Sequence, residues 1–476
     1  MANKKAATSS SVSSSLPSIK IAYIGGGSRY WARDLMKDLA LAGLFVGEIR
    51  LYDIDLESAR RNEVIADRIF SRPEAKSRFK VRAVKTLAAC LKGADFVVIS
   101  IEPGPIEARF ADLEIPLKHG IVQPVGDSTG PGGILRGLRS IPVYAGFAAS
   151  IMEHCPRAWV INYTNPMTLC TRTLHAVAPE IRAFGCCHEV FGTQNRIAKL
   201  AAGWFGVEKI GRKEIAVDVN GINHFTWVTK ASWCGHDLMP RLREYAADPA
   251  HYGDMTGASR KRTANNGFFR SEGLVAIDLL RRFDAMGAAG DRHLVEFVPW
   301  YTTDMATLNR WGVICTPYSY RLKRQNSPDV AADSYSQQSI NPSGEEGVQQ
   351  MAALAGLGDL DTNVNLPNLG QSAGLPLDAV VETNACFRAG SLTPKTAHPL
   401  PPGAEALVRR VVDVQEITLR AGLELDLDLA REAILCDPLV NIPPDTAMLM
   451  FDEMLQNIAP CLKEYGVKPA ARTRRR

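Results

Sequence analysis

Two short segments, Gly185-Cys186-Cys187-His188 and Gly221-Ile222-Asn223-His224, carry residue types that bind metals. A cysteine binds a cation as thiolate and a histidine through an imidazole nitrogen; a shell with so few protein ligands leaves coordination positions open. Open positions suit a substrate whose own hydroxyls complete the shell. Cys187, His188 and His224 are therefore all candidate ligands. Ahead of them, Ile19 to Ile24 is a β-branched run ending in Gly25-Gly26-Gly27-Ser28, and Arg33 to Leu44 has helical spacing of apolar residues. Such a strand, glycine turn and helix let the backbone approach a pyrophosphate and aim free N–H groups at it. Tyr30 stands where the usual fingerprint has its third glycine. Asp53, ending the next apolar run, is placed to accept from an adenosine ribose, which favours NAD over its 2′-phosphorylated relative. A nicotinamide beside a divalent ion points to chemistry on a hydroxyl-bearing carbon.

Three further segments offer polar groups for orienting a ligand. Asn162-Tyr163-Thr164-Asn165-Pro166 follows an apolar run, so its amides could meet polyol oxygens. Gly126-Asp127-Ser128-Thr129-Gly130 is a tight loop presenting Asp127, with Arg136 and Arg139 on the helix that follows. Gly290-Asp291-Arg292-His293-Leu294-Val295-Glu296 packs ionisable groups beside an apolar stretch and is a candidate base and recognition segment.

The elements that must hold these residues are α/β in pattern. Strands are expected over 19–24, 48–52, 95–101, 158–162 and 181–186, several of them continuously apolar as buried parallel strands are. This predicts a Rossmann-like doubly wound sheet over 18–200, of the lactate and malate dehydrogenase type. An α+β domain follows over 201–465, with strands at 214–219 and 225–230. Residues 325–362, rich in Ser, Gln, Asn and Gly, read as exposed loops or a lid around one helix at 345–354. Residues 401–419 and 429–435 are helical. A Ser-rich leader (1–17) and a basic tail (466–476) flank the body.

Of the 476 residues, 46% are hydrophobic and 22% charged, which is ordinary for a globular chain with more than one core. The 55 basic residues exceed the 51 acidic ones only through Arg472, Arg474, Arg475 and Arg476. The body is balanced, so no nucleic-acid partner is expected. No apolar run of membrane-spanning length occurs, and ten scattered cysteines suit a reduced, cytoplasmic protein.

These motifs, in this order, resemble glycoside hydrolase family 4, the NAD- and divalent-metal-dependent glycosidases. The resemblance covers about residues 18–465 and rests on IGGGS, GDSTGPGGILRGLR, NYTNPM, GCCHEVFG, GINHFTW and NLPNLG with LPPGAEALVRRVVDVQEITLRAG. It implies transient oxidation at sugar carbon 3 by NAD, metal-assisted removal of the carbon 2 proton, elimination of the glycosidic oxygen and addition of water, a departure from the two-carboxylate route. It also implies that Cys187 and His224 hold the metal, expected to be Mn(II). Asn165 would contact the sugar, and Gly25, Gly26, Gly27, Ser28 and Asp53 would bind NAD. Asp291 is the implied base, with His293 and Tyr301 in reserve. His188 replaces the Asp that serves some members as leaving-group acid, and so becomes the candidate acid or a substrate contact. The segments around Asp127 and Asp291 look more like the branch acting on unphosphorylated α-galactosides, α-glucosides or α-galacturonides than like the 6-phosphoglycosidases. Asp127, Arg136, Arg292 and His293 are the expected substrate contacts, with Arg292, His293 and Arg29 available for a carboxylate. A homodimer or homotetramer without membrane or nucleic-acid partners is expected. An NAD-dependent 2-hydroxy acid dehydrogenase is the competing reading, and it needs no metal thiolate.

Overall fold

The computed structural model describes residues 16–337 and 339–468; most of the expected leader and the arginines of the tail lie outside them. The first six strands are β1 (Ser18–Ile24), β2 (Val46–Tyr52), β3 (Arg78–Val84), β4 (Phe96–Ile99), β5 (Trp159–Asn162) and β6 (Arg182–Gly185). All pair in parallel, in the order β3-β2-β1-β4-β5-β6. Helices cover both faces, which is why β4 is buried along its whole length and reads as an unbroken apolar run. The order reverses between β1 and β4, and the crevice beyond the carboxyl ends of these strands is where such sheets bind ligands.

The second sheet forms from β7 (Ile215–Ile222), β8 (Phe225–Trp233), β9 (His236–Asp237) and β10 (Met286–Gly287). β7 and β8 make a hairpin whose turn is only Asn223-His224, because Ile222 pairs with Phe225. Behind it, Phe225 stacks on Phe297 at 4.7 Å, in a core that also buries Trp227 completely. This core fixes the hairpin tip, and so His224, against the segment containing Asp291 and His293.

The segment 325–362 has less regular structure, as expected, but β11 (Leu360–Pro367), β12 (Val380–Arg388) and β13 (Ser391–Pro394) were not foreseen. They extend the first sheet antiparallel beyond β6. The sequence Leu-Asp-Thr-Asn-Val-Asn-Leu-Pro has no β-branched run to mark β11. Its asparagines are buried all the same, Asn363 donating to the Glu382 carboxylate of β12 at 2.7 Å. The helices Pro402–Glu424, Leu427–Cys436 and Pro444–Asn457 pack against Ala108–Lys118 and Gly130–His154, so the loop that presents Asp127 is backed by an apolar cluster.

Candidate active site

The glycine turn is built so that no side chain fits. Gly25 has φ +92°, and a Cβ there would lie 1.9 Å from the Ser100 carbonyl oxygen; one on Gly26 would lie 2.6 Å from Leu51 Cβ. Asp53 Oδ2 accepts from the Gly27 N–H at 2.8 Å, tying the end of β2 to the turn. From below, the buried amide of Asn62 donates to the carbonyls of Gly26 and Ser28. Ser28 Oγ accepts from the N–H of Trp31, where the helix Trp31–Ala42 begins. The cradle that added Cβ atoms would fill, with Asp53 at its edge, fits a dinucleotide.

Asp127, His224 and His293 converge, one ligand atom from each lying within 4.8 Å of the other two. His224 sits at the hairpin tip with φ +65°, a left-handed backbone that costs a non-glycine residue about 1–2 kcal/mol. The Ser128 hydroxyl donates to Asp127 Oδ1 and lies 2.8 Å from His224 Nδ1. The His224 and His293 rings are 3.9 Å apart. Burial pushes both imidazoles down, His224 to about 3 and His293 to about 4. Burial would raise the Asp127 carboxyl, but the imidazole and guanidinium groups around it more than reverse this and hold it well below the usual range. Two neutral imidazoles and a carboxylate form a donor set suited to a divalent transition ion such as Mn(II).

A buried carboxyl and a guanidinium hold the backbone of the Asp127 loop. The Glu296 carboxyl accepts from the N–H groups of Val125 and Gly126, and Arg109 donates to both of their carbonyls. Glu296 belongs to the Asp291 segment, so one stretch supplies both His293 and the anchor for Asp127.

A cavity of about 680 Å³ opens over the cluster. It is lined by Asp127, Asn165, His188, His224, Arg292 and His293 from the expected set, together with Trp31, Glu189, Arg196, Arg321 and Arg324. The Oδ1 atoms of Asn165 and Asn223 are buried without a partner. His188 Nδ1 lies 2.6 Å from the Glu345 carboxylate, and that contact raises its imidazole to about 9, against the opposing pull of burial.

Five expected roles change. Cys187 is outside the trio that gathers around His224. Its buried thiol is pushed well up by desolvation and then by Glu382 and Glu189. A protonated thiol in an acidic surrounding is a poor ligand until a cation draws its proton off. Asp291 is not in the cavity: its two oxygens accept from the N–H groups of Leu274, Val275 and Ala276 and cap the helix Leu274–Phe283. Taking up a proton there would weaken three backbone hydrogen bonds. Tyr301 is equally committed, its hydroxyl donating to Asp278 at 2.7 Å. Arg136 grips Glu102 and donates to the Asn165 backbone carbonyl at 2.8 Å, so it positions Asn165 and does not line the cavity. Arg29 donates to the Ser327 carbonyl.

Sequence reasoning missed Arg321 and Arg324. Their segment Tyr318–Asn326 carries three cations and no buried residue, the pattern of a solvated helix. Glu345 was read only as a helix start.

The family models for family 4 glycosyl hydrolases and for their C-terminal domain match residues 20–202 and 219–440. The chain belongs to glycoside hydrolase family 4. It is 46% identical over 459 residues to an alpha-galacturonidase of Thermoanaerobacterium saccharolyticum, covering 94% of this chain and 98% of that one. A Bacillus subtilis alpha-galacturonidase is 45% identical over 94% of this chain and 98% of its own. In three dimensions the family 4 enzyme is similar to a Thermotoga maritima 6-phospho-beta-glucosidase solved with manganese and NAD+, with a TM-score of 0.72 at 21% identity over 95% and 100% of the two chains, a likeness of fold. The protein is thus a glycosidase, and the 2-hydroxy acid dehydrogenase reading falls. Among the described residues no helix is long and apolar enough to cross a membrane.

Proposed function

We propose that the protein is an NAD- and divalent-metal-dependent α-galacturonidase, releasing galacturonic acid from the non-reducing end of an α-galacturonide. The observation that carries this is the charge of the cavity: four guanidiniums, from Arg196, Arg292, Arg321 and Arg324, face a single carboxylate, Glu189, besides that of Asp127 in the cluster. Such a surplus suits an anionic sugar. The curated relatives at 46% and 45% identity carry the same activity in their names.

Gly25, Gly26, Gly27, Ser28 and Asp53 would hold NAD, and Asp127, His224 and His293 the metal, with Cys187 the further candidate ligand once deprotonated. When bound, these groups supply hydride acceptance from a sugar carbinol and polarisation of the carbonyl so formed. The chain's own residues do the rest. Asn165 offers its unpartnered Oδ1 to a sugar hydroxyl, held by Arg136 through its own carbonyl. His188, kept protonated by Glu345, donates a proton to the departing glycosidic oxygen. Trp31, tilted against Tyr163 at 5.3 Å and His188 at 6.2 Å, walls the cavity beside the glycine turn and limits the entry of water.

The test is hydrolysis of aryl α-galacturonide, α-galactoside and 6-phospho-α-galactoside with NAD and Mn(II) in deuterated water. Galacturonide turnover that stops with chelator, with deuterium entering carbon 2 of the product, is expected. Preference for a neutral or phosphorylated sugar, or product without deuterium, would defeat the reading.

A further inference from the structure

Arg321 stands apart from the other cavity arginines because nothing in the protein answers it. Arg196 donates to the carbonyls of Ser271 and Glu272, Arg324 to the Tyr30 hydroxyl, and Arg292 to Thr316 Oγ1 at 2.9 Å. Nε and Nη2 of Arg321 are buried with no hydrogen-bond partner. Among the described residues no carboxylate lies within 4.0 Å of it. A buried donor left unpaired costs about 1–3 kcal/mol, more when charged, so such a group calls for an explanation.

The two orphaned atoms lie on one edge of the guanidinium. The N–H of Nε and the nearer N–H of Nη2 point the same way, the two-pronged fork that meets both oxygens of a carboxylate. The helix that carries Arg321, Tyr318–Asn326, is itself tied to the nucleotide half. Arg29 donates to Ser327, Arg33 forks onto both oxygens of Asp329, and the Arg324 guanidinium lies 4.4 Å over the Tyr30 ring. The fork is therefore held in register with the glycine turn.

We infer that Arg321 is the specificity-determining residue that receives the sugar carboxylate, through the Nε and Nη2 edge of its guanidinium. This deepens the galacturonidase reading and rests on it. Arg292, whose Nε is also buried and unpartnered, flanks the same anion but has already spent its Nη2 on Thr316. A neutral galactoside would leave the fork unanswered, which disfavours it.

The test uses the full chain with NAD and Mn(II). Galacturonate, galactose and galactose 6-phosphate are titrated calorimetrically into wild type, Arg321→Gln and Arg321→Lys, and KM and kcat are measured on aryl α-galacturonide. Loss of a charge-assisted pair predicts galacturonate binding and KM weaker by about 10–100-fold in Arg321→Gln, with kcat changed much less. Arg321→Lys, which keeps the charge but not the fork, should fall in between and guards against misfolding of the Gln variant. Galacturonate bound equally by wild type and both variants would overturn the inference while leaving galacturonide hydrolysis standing. Preferential, Arg321-dependent binding of galactose 6-phosphate would assign the fork to a phosphate and overturn both.

Discussion

Replacing Arg321 by Met should make the ligand-free protein more stable. Burial, and after it the neighbouring guanidiniums of Arg109 and Arg292, lower Arg321 from 12.5 to about 9. The unfolded chain therefore binds this proton more tightly than the folded one. The cost is fully present below pH 9 and is relieved only as pH rises beyond it toward the ordinary value. At about 1.4 kcal/mol per pH unit the fall sets a ceiling of about 5 kcal/mol. Water entering the open cavity recovers part of that, so removing the charge while keeping a stem of similar length should gain about 1–3 kcal/mol, or roughly 1–3 °C in thermal midpoint for a chain of this size. The assay is thermal unfolding at pH 7 followed by fluorescence, with and without galacturonate. Wild type should climb by about 2.7 kcal/mol at a ligand concentration of about 100 Kd, and Arg321→Met by little. A ligand-free variant no more stable than wild type would show that the guanidinium is already satisfied, and the reasoning from its unpaired edge would fail.

Three further outcomes are expected. Asp127→Asn and His224→Ala should each weaken Mn(II) binding, read by paramagnetic resonance of the free ion, by at least about 10–100-fold; unchanged affinity would place the metal elsewhere. Asp291→Asn should act on stability, lowering it by about 1–2 kcal/mol in urea unfolding through loss of the helix cap, with kcat within about threefold of wild type. A thousandfold fall in kcat at unchanged stability would restore Asp291 as the base. Glu345→Gln removes the largest influence raising His188. The protonated imidazole persists to about pH 9 in wild type, so the alkaline limb of kcat/KM should move toward the ordinary histidine value near 6.5 in the variant. An unmoved limb would dissociate His188 from the proton transfer.

Local pattern carried much of this molecule. The apolar runs of β1, β4 and β5 and the glycine turn were readable because a parallel sheet buried on both faces admits only such residues, and because Gly25 has no room for a Cβ. The same locality made Asn165, Asp127, His188, His224 and His293 visible as polar groups at strand ends, turns and glycine-rich loops. β11 was invisible, since its buried Asn363 is satisfied by Glu382 of the neighbouring strand and not by any local pattern.

What only the tertiary structure decided is which of these groups meet. Asp291 and His293 are two residues apart, yet one turns inward to cap Leu274–Phe283 while the other reaches His224 across two chain segments. Cys187 and His224 are paired by the family resemblance, but the groups that gather around His224 are those of Asp127 and His293. Arg321 read as one cation of a solvated helix until folding set its guanidinium edge in a cavity without a partner. Residue type and spacing report what a side chain is able to do. Whether its donors and acceptors are already spent on the protein itself depends on contacts between residues tens to hundreds of positions apart, and those exist only in the folded chain.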